Sequence, residues 1–126
     1  SQASKLSVMD DLIILENRKD IDMLMCAMDC FVFPSRFEGL GIVVIEAQST
    51  GLPCFISNEV PKNVNLTNLI NRFDINRKAS ENARFILNKY KKDNRKIYSN
   101  EVKDAKYSIL NTCDSLAVLY DKLLSV

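Results

Sequence analysis

Hydrophobic residues fall into short, dense runs up to about residue 57 and into longer helical stripes after about residue 79. Leu12 to Leu15 is an uninterrupted apolar run of the kind a parallel sheet buries on both faces, and it predicts a strand. Asp20 then stands in N-cap position for a short helix with Ile21, Leu24, Met25 and Met28 on one face. Cys30 to Phe33 predicts the next strand, closed by Pro34. Ile42 to Ser49 predicts a helix stopped by Gly51 and Pro53, and Cys54 to Ser57 a further buried strand. Strands and helices alternating through short connections specify right-handed crossovers and a parallel sheet. Asn58 to Asn68 reads as a polar loop containing Pro61, and Leu69 to Ile75 as a short edge strand or an irregular segment. Three helices are expected beyond it. They cover Ala79 to Tyr90, a short basic stretch near Asp93 to Tyr98, and Val102 to Leu124, where Ile109, Cys113, Leu116, Ala117, Tyr120, Leu123 and Leu124 form one stripe. The expected fold class is α/β, a partial Rossmann-like three-layer domain with a short parallel sheet and C-terminal helices.

The densest chemical information lies in Phe31 to Asn58, FVFPSRFEGLGIVVIEAQSTGLPCFISN. A strand, a Gly-bearing loop and a helix in that order put unpaired backbone N–H groups and a helix dipole at the carboxyl edge of the sheet, where they favour an anion such as phosphate. Two carboxylates bracket the helix start. Glu38 precedes Gly39-Leu40-Gly41, and Glu46 follows about two helical turns later, so both are expected to look toward the same end of the sheet. Carboxylates repel phosphate and accept from sugar hydroxyls, so a ligand with phosphates between two sugars fits amides in the middle and a glutamate on either side. Glu46 interrupts the run Ile42, Val43, Val44, Ile45, Ala47, and if buried it needs a partner. As a dinucleotide fingerprint the Gly39-Leu40-Gly41 turn is incomplete, because Val44 occupies the third glycine position.

These residues resemble a known family. The run PSRFEGLGIVVIEAQSTGLPCFISN is similar to the donor-binding segment of retaining glycosyltransferases of the GT-B fold, the group that includes capsule and exopolysaccharide enzymes. The resemblance rests on a glutamate, a Gly-rich turn, a second glutamate, and the close formed by Ala47, Gly51 and Pro53, and it is strongest over Asp10 to Pro61. It implies that Glu38 contacts hydroxyls of the donor sugar and is the catalytic candidate, and that Glu46 holds the ribose. It also implies that Gly39, Leu40, Gly41, Ile42 and Val43 line the sugar and diphosphate. Asn17 and Arg18 are candidates for the base side of the nucleotide. A UDP-sugar is the implied substrate, with no cofactor and no required metal. Such an enzyme has two Rossmann-like domains, so the resemblance also implies a missing N-terminal acceptor domain and a location in the bacterial cytoplasm or on the inner face of the plasma membrane.

At 126 residues, 47% of them hydrophobic, the chain has the size of one domain. It is expected to be a single donor-binding unit over 1–126, with residues 1–9 an expression-tag remnant plus a preceding element and 102–126 the closing amphipathic helix. Ser1-Gln2-Ala3 in place of Met, and the lack of any histidine near a reacting sugar, point to an excised piece that is inactive alone. Two alternatives stay open: a separately encoded nucleotide-binding subunit that needs an acceptor-binding partner, and a sugar-nucleotide epimerase of the same fold.

Charge changes this picture only locally. A net charge of +1 gives no argument for nucleic acid. Residues 72–106 nevertheless hold eleven Lys or Arg against five acids, while residues 1–71 hold five against nine. The basic stretch is either a membrane-surface patch or the solvated face of a helix, and the second is the plainer reading. Cys26, Cys30, Cys54 and Cys113 form no CxxC pair, sit in apolar surroundings, and are expected to be buried reduced thiols. Asp20-Ile21-Asp22 has the form of a metal-binding Asp-x-Asp, but acids at a helix start are better explained by capping and the dipole.

Overall fold

A computed structural model describes residues 2–91 and 98–124. Its elements are α1 (Gln2–Lys5), α2 (Ile21–Ala27), β1 (Phe31–Phe33), α3 (Ile42–Ser49), β2 (Cys54–Ser57), a 3-10 turn (Lys62–Val64), β3 (Ile70–Phe73), α4 (Ala79–Lys89), α5 (Ser99–Asp104) and α6 (Ile109–Leu124). The sheet is parallel, in the order β1-β2-β3. Phe31 lies opposite Cys54 and Phe33 opposite Ile56. On the other side Cys54 lies opposite Ile70 and Ser57 opposite Phe73. As the apolar run predicts for a central strand, every residue of β2 is buried.

Strand alternation separates two faces. Cys54 and Ile56 join Val44, Ile45, Ala47, Leu52, Val60, Val64, Met25 and Val102 in one core, with Phe31 and Phe33 packed against it. Phe55 points the other way and meets Phe85 of α4 edge to face, with ring centroids 6.5 Å apart. Helix α3 therefore lies on one face with α2 and α5, and α4 lies on the other, which gives the expected three layers.

The end of α3 explains why its boundaries follow so directly from sequence. Gly51, at φ +74°, donates to the Gln48 carbonyl at 2.9 Å, and Leu52 donates to that of Ala47 at 3.1 Å. This is a Schellman closure, and the buried Leu52 turns the chain straight into β2.

Several expectations are corrected. Leu12 to Leu15 forms no strand, and Ile13 is 81% exposed. A strand needs a ladder and a face to cover, and among the described residues β1 pairs only with β2, so the run has neither. The last helix is two helices. Lys106 adopts φ +68° and donates to the Lys103 carbonyl at 2.9 Å, while Tyr107 donates to that of Val102 at 3.3 Å. This is a second Schellman closure, built without glycine. Ser108 then caps α6, its Oγ accepting from the Asn111 N–H at 3.3 Å. Val102 packs into the core, but the predicted stripe of α6 is exposed, up to 82% at Leu124. Of the four cysteines, Cys54 is buried, Cys30 is half-buried, and Cys26 and Cys113 are exposed, so the expectation of buried thiols holds for one. The basic helix expected near Asp93 to Tyr98 falls almost wholly on residues 93–97, which lie outside the described residues.

Candidate functional site

The site is built on the β1–α3 connection. Its pivot is Gly41, at φ +72° and ψ +40°, the N-cap of α3. A left-handed N-cap suits glycine, and space makes the same demand: a Cβ at Gly41 would lie 3.2 Å from Val64 Cγ1 and 3.6 Å from Val60 Cγ1. No side chain caps this helix end and no acid stands in its first turn. Among the described residues, the backbone N–H groups of Glu38, Gly39, Leu40, Gly41, Ile42 and Val43 have no acceptor, and the first bond of the helix region runs from the Val44 N–H to the Gly41 carbonyl at 2.9 Å. A Cβ on Gly39 would meet nothing within 4 Å, so the approach is open at Gly39, whereas Gly41 itself is buried. A run of unpaired N–H groups at the start of an uncapped helix is an anion-binding surface.

The two glutamates sit differently around it. Glu38 is half-buried, with its Cγ 3.5 Å from the Cβ position of Gly41, on the side of Val60 and Val64. Glu46 is exposed, which removes the expected penalty of a buried charge. It lines a recess of about 390 Å³ with Lys19, Ile21, Asp22, Met25, Ser49 and Thr50. Glu38 is not among the lining residues, so this recess does not bring the two carboxylates together. Neither carboxylate has a hydrogen-bond or ion-pair partner among the described residues, and both are free to accept from a ligand.

The candidates before α2 are also sorted. Arg18 is engaged by Asp20, through Nε to Oδ1 at 2.8 Å and Nη2 to Oδ2 at 2.5 Å. That pairing holds the Asp20 carboxyl below its usual range. It also corrects the capping expectation: Asp20 occupies the N-cap position but makes no side-chain cap bond. Asn17 takes a left-handed backbone at φ +52°, and neither it nor Arg18 lines the recess. Lys19 does, so the recess is lined by a cation as well as by the Glu46 and Asp22 carboxylates. The loop itself is braced by Ser35 Oγ, donating to the Phe37 carbonyl at 3.0 Å, and by Arg36 Nη1, which reaches Asn76 Oδ1 at 3.5 Å.

Three residues near the site escaped the sequence reading. Phe37, 94% exposed, projects an aromatic ring from the same loop, and an exposed Phe next to Glu38 was the available signal. Gln48, fully buried on α3, and Arg72, on β3, both bond the segment that follows β2. A glutamine inside an otherwise apolar helix face was a visible cue. Nothing in the sequence around Arg72 distinguishes it.

The parallel three-stranded sheet, with the β1–α3 turn at its carboxyl edge, is that of a partial Rossmann-like domain. Comparison with known proteins gives the family: the model for glycosyl transferases group 1 matches residues 1–94, and the chain belongs to that family. Among similar proteins, EpsF of Bacillus subtilis (strain 168), whose name assigns it as a glycosyltransferase, is 40% identical over 63 residues, covering 50% of this chain and 16% of that protein. The UDP-Gal:alpha-D-GlcNAc-diphosphoundecaprenol alpha-1,3-galactosyltransferase of Escherichia coli is 51% identical over 47 residues, covering 37% of this chain and 12% of that protein. The aligned regions are thus a small part of each relative's length. No solved structure matches.

Proposed function

We propose that this chain is the donor-binding part of an enzyme that transfers a sugar from a nucleotide diphosphate sugar, with retention at the anomeric carbon, to a glycan or lipid-linked acceptor. The supporting observation is the run of six N–H groups from Glu38 to Val43 that are unpaired among the described residues, with the Glu38 and Glu46 carboxylates likewise unpartnered among them. In this reading the amides and the α3 N-terminus stabilise charge developing on the leaving diphosphate, which requires neither a titrating base nor a metal. Glu38 orients the donor sugar. Glu46 accepts from the ribose hydroxyls inside its recess, which Lys19 also lines. The donor is proposed to be a UDP-sugar, and the acceptor lipid-linked, since the galactosyltransferase relative carries both in its name. Among the described residues no helix is long and apolar enough to cross a membrane. In this reading the enzyme works in the cytoplasm or on the inner membrane surface, where a lipid-linked acceptor would be met, and the basic residues 72–106 are taken as the solvated face of a helix.

An acceptor-binding domain is part of this proposal, and the chain alone is expected to bind nucleotide without turnover. The test is calorimetric titration of the chain with UDP, GDP and ADP, followed by assay of the longer enzyme with the preferred nucleotide sugar and a lipid-linked acceptor. Tightest binding of UDP and a product of unchanged anomeric configuration are expected. Absence of binding to all three nucleotides, or an inverted product, contradicts the proposal.

A further inference from the structure

We infer that Arg72 and Gln48 are positioning residues for the Glu38–Val43 amide run, acting through the segment that joins β2 to β3; the ligand invoked below rests on the function proposed above. The segment carries the floor of the Gly41 turn: Val60 and Val64 are buried, and their methyl groups stand 3.6 and 3.2 Å from the Gly41 Cβ position. Regular structure contributes little here. Between β2 and β3 the described backbone contains one 3-10 turn, and the inner bonds are isolated ones, such as Asn65 N–H to the Lys62 carbonyl at 3.1 Å.

Two polar side chains from outside the segment supply the missing constraint. The Arg72 guanidinium donates to the Val60 carbonyl at 2.7 Å, the Pro61 carbonyl at 3.0 Å and Asn65 Oδ1 at 2.8 Å. It has longer contacts to the carbonyls of Ser57 at 3.3 Å and Asn58 at 3.4 Å. All five acceptors are uncharged, so the arrangement depends on the planar fork and not on an ion pair. Gln48 Nε2 donates to the Val64 carbonyl at 2.8 Å and the Val44 carbonyl at 3.1 Å. Its Oε1 accepts from the Leu66 N–H at 3.2 Å, the Thr67 N–H at 3.1 Å and the Thr67 hydroxyl at 3.0 Å. Gln48 sits on the same helix that begins at the turn, so it ties the helix and the floor beneath it into one unit. Partial burial draws the Arg72 pKa down, but the guanidinium stays cationic.

The consequence is that the aim of the site's amides is set by residues that touch no ligand. Such supporting contacts decide whether donors stand within the narrow tolerance that phosphate binding requires. Replacing the fork by an ammonium keeps the charge and loses the multiple bonds. Arg72→Lys should therefore raise the Kd for UDP about tenfold, the effect of losing a bond to a charged donor. Asn65→Ala, at an exposed position that loses a single acceptor, should have a smaller effect in the same direction, and Gln48→Met should break the second tie.

The experiment records amide spectra of the full chain, wild type and the three variants, without ligand and then with UDP. Displaced Gly39 and Gly41 resonances in Arg72→Lys and Gln48→Met, with Phe31 and Phe55 of the sheet unmoved, are expected before any ligand is added. A merely structural role would shift sheet and turn together. Unmoved Gly41 resonances in folded variants would overturn the inference, and so would a UDP Kd within about twofold of wild type. If Arg72→Lys fails to fold, Asn65→Ala decides on the same readouts. If the wild-type chain binds no UDP, the proposed function fails, while the ligand-free Gly41 shift still decides the positioning role.

Discussion

Residues 31–73 and the two flanks of the chain both carry dense apolar sequence, yet they end in opposite environments. Between Phe31 and Phe73, Leu52, Cys54, Phe55, Ile56, Val60 and Val64 are essentially inaccessible to water. In the flanks, Leu12 to Leu15 and the apolar residues of α6 stand exposed. The middle region brings most of its own partners: β1, β2 and β3 supply the ladders and α3 covers one face within about forty residues, while Phe85 of α4 meets Phe55 on the other. The flanks reach the core through Met25 and Val102, but Leu12 to Leu15 and α6 each bring an apolar surface with no complement among the described residues. Hydrophobic pattern predicts that a surface will be buried, but only tertiary context says by what.

The sharpest way to break that contrast is truncation on each side of it. Phe55→Ala removes a ring packed between β2 and Phe85 and should cost about 3–5 kcal/mol, read as a lower urea midpoint at unchanged slope. The equally apolar change Leu123→Ala should stay within about 0.5 kcal/mol. A large loss at Leu123 would mean that α6 is packed in solution.

Gly41→Ala comes next in size. The left-handed backbone and the 3.2 Å approach to Val64 together predict a loss of about 1–3 kcal/mol, seen in the same denaturation series. It should also weaken nucleotide binding, because the turn cannot keep its shape. Stability unchanged within error would show that the segment beneath Gly41 yields easily.

Glu46→Ala separates site from scaffold. The side chain is exposed and has no partner among the described residues, so stability should move by less than about 0.5 kcal/mol, while the Kd for UDP should rise about tenfold. Equal affinity of mutant and wild type would remove Glu46 from the nucleotide site. The smallest effect is expected at Ile13→Ser, within about 0.5 kcal/mol by chemical denaturation, since the side chain is already in water.

The same contrast governs what could be read from sequence. Helix α3 and strand β2 have the predicted limits because each boundary is local: Gly41 starts the helix, Gly51 closes it, and an apolar run follows. The strand at Leu12 to Leu15 could not be judged that way, because forming it depends on a neighbour elsewhere in space. The break between α5 and α6 was hidden for a different reason. Lys106 fills the left-handed position usually given to glycine, and only the Ser108 cap left a mark in the sequence. For the site, the turn and its two glutamates were legible as a motif. The exposure of Glu46 and the bracing by Gln48 and Arg72 depend on contacts far apart in the chain, whereas the engagement of Arg18 by Asp20 is local, between residues two apart that have several other possible partners.

The central claim is that the backbone from Glu38 to Val43 receives a diphosphate. It is tested most directly by following amide shifts of the chain during titration with UDP and, in parallel, with uridine. The account predicts saturable shifts concentrated at Gly39, Leu40, Gly41, Ile42 and Val43 with UDP, and none at those amides with uridine. Equal responses to both ligands, or UDP shifts that bypass this turn, would contradict it.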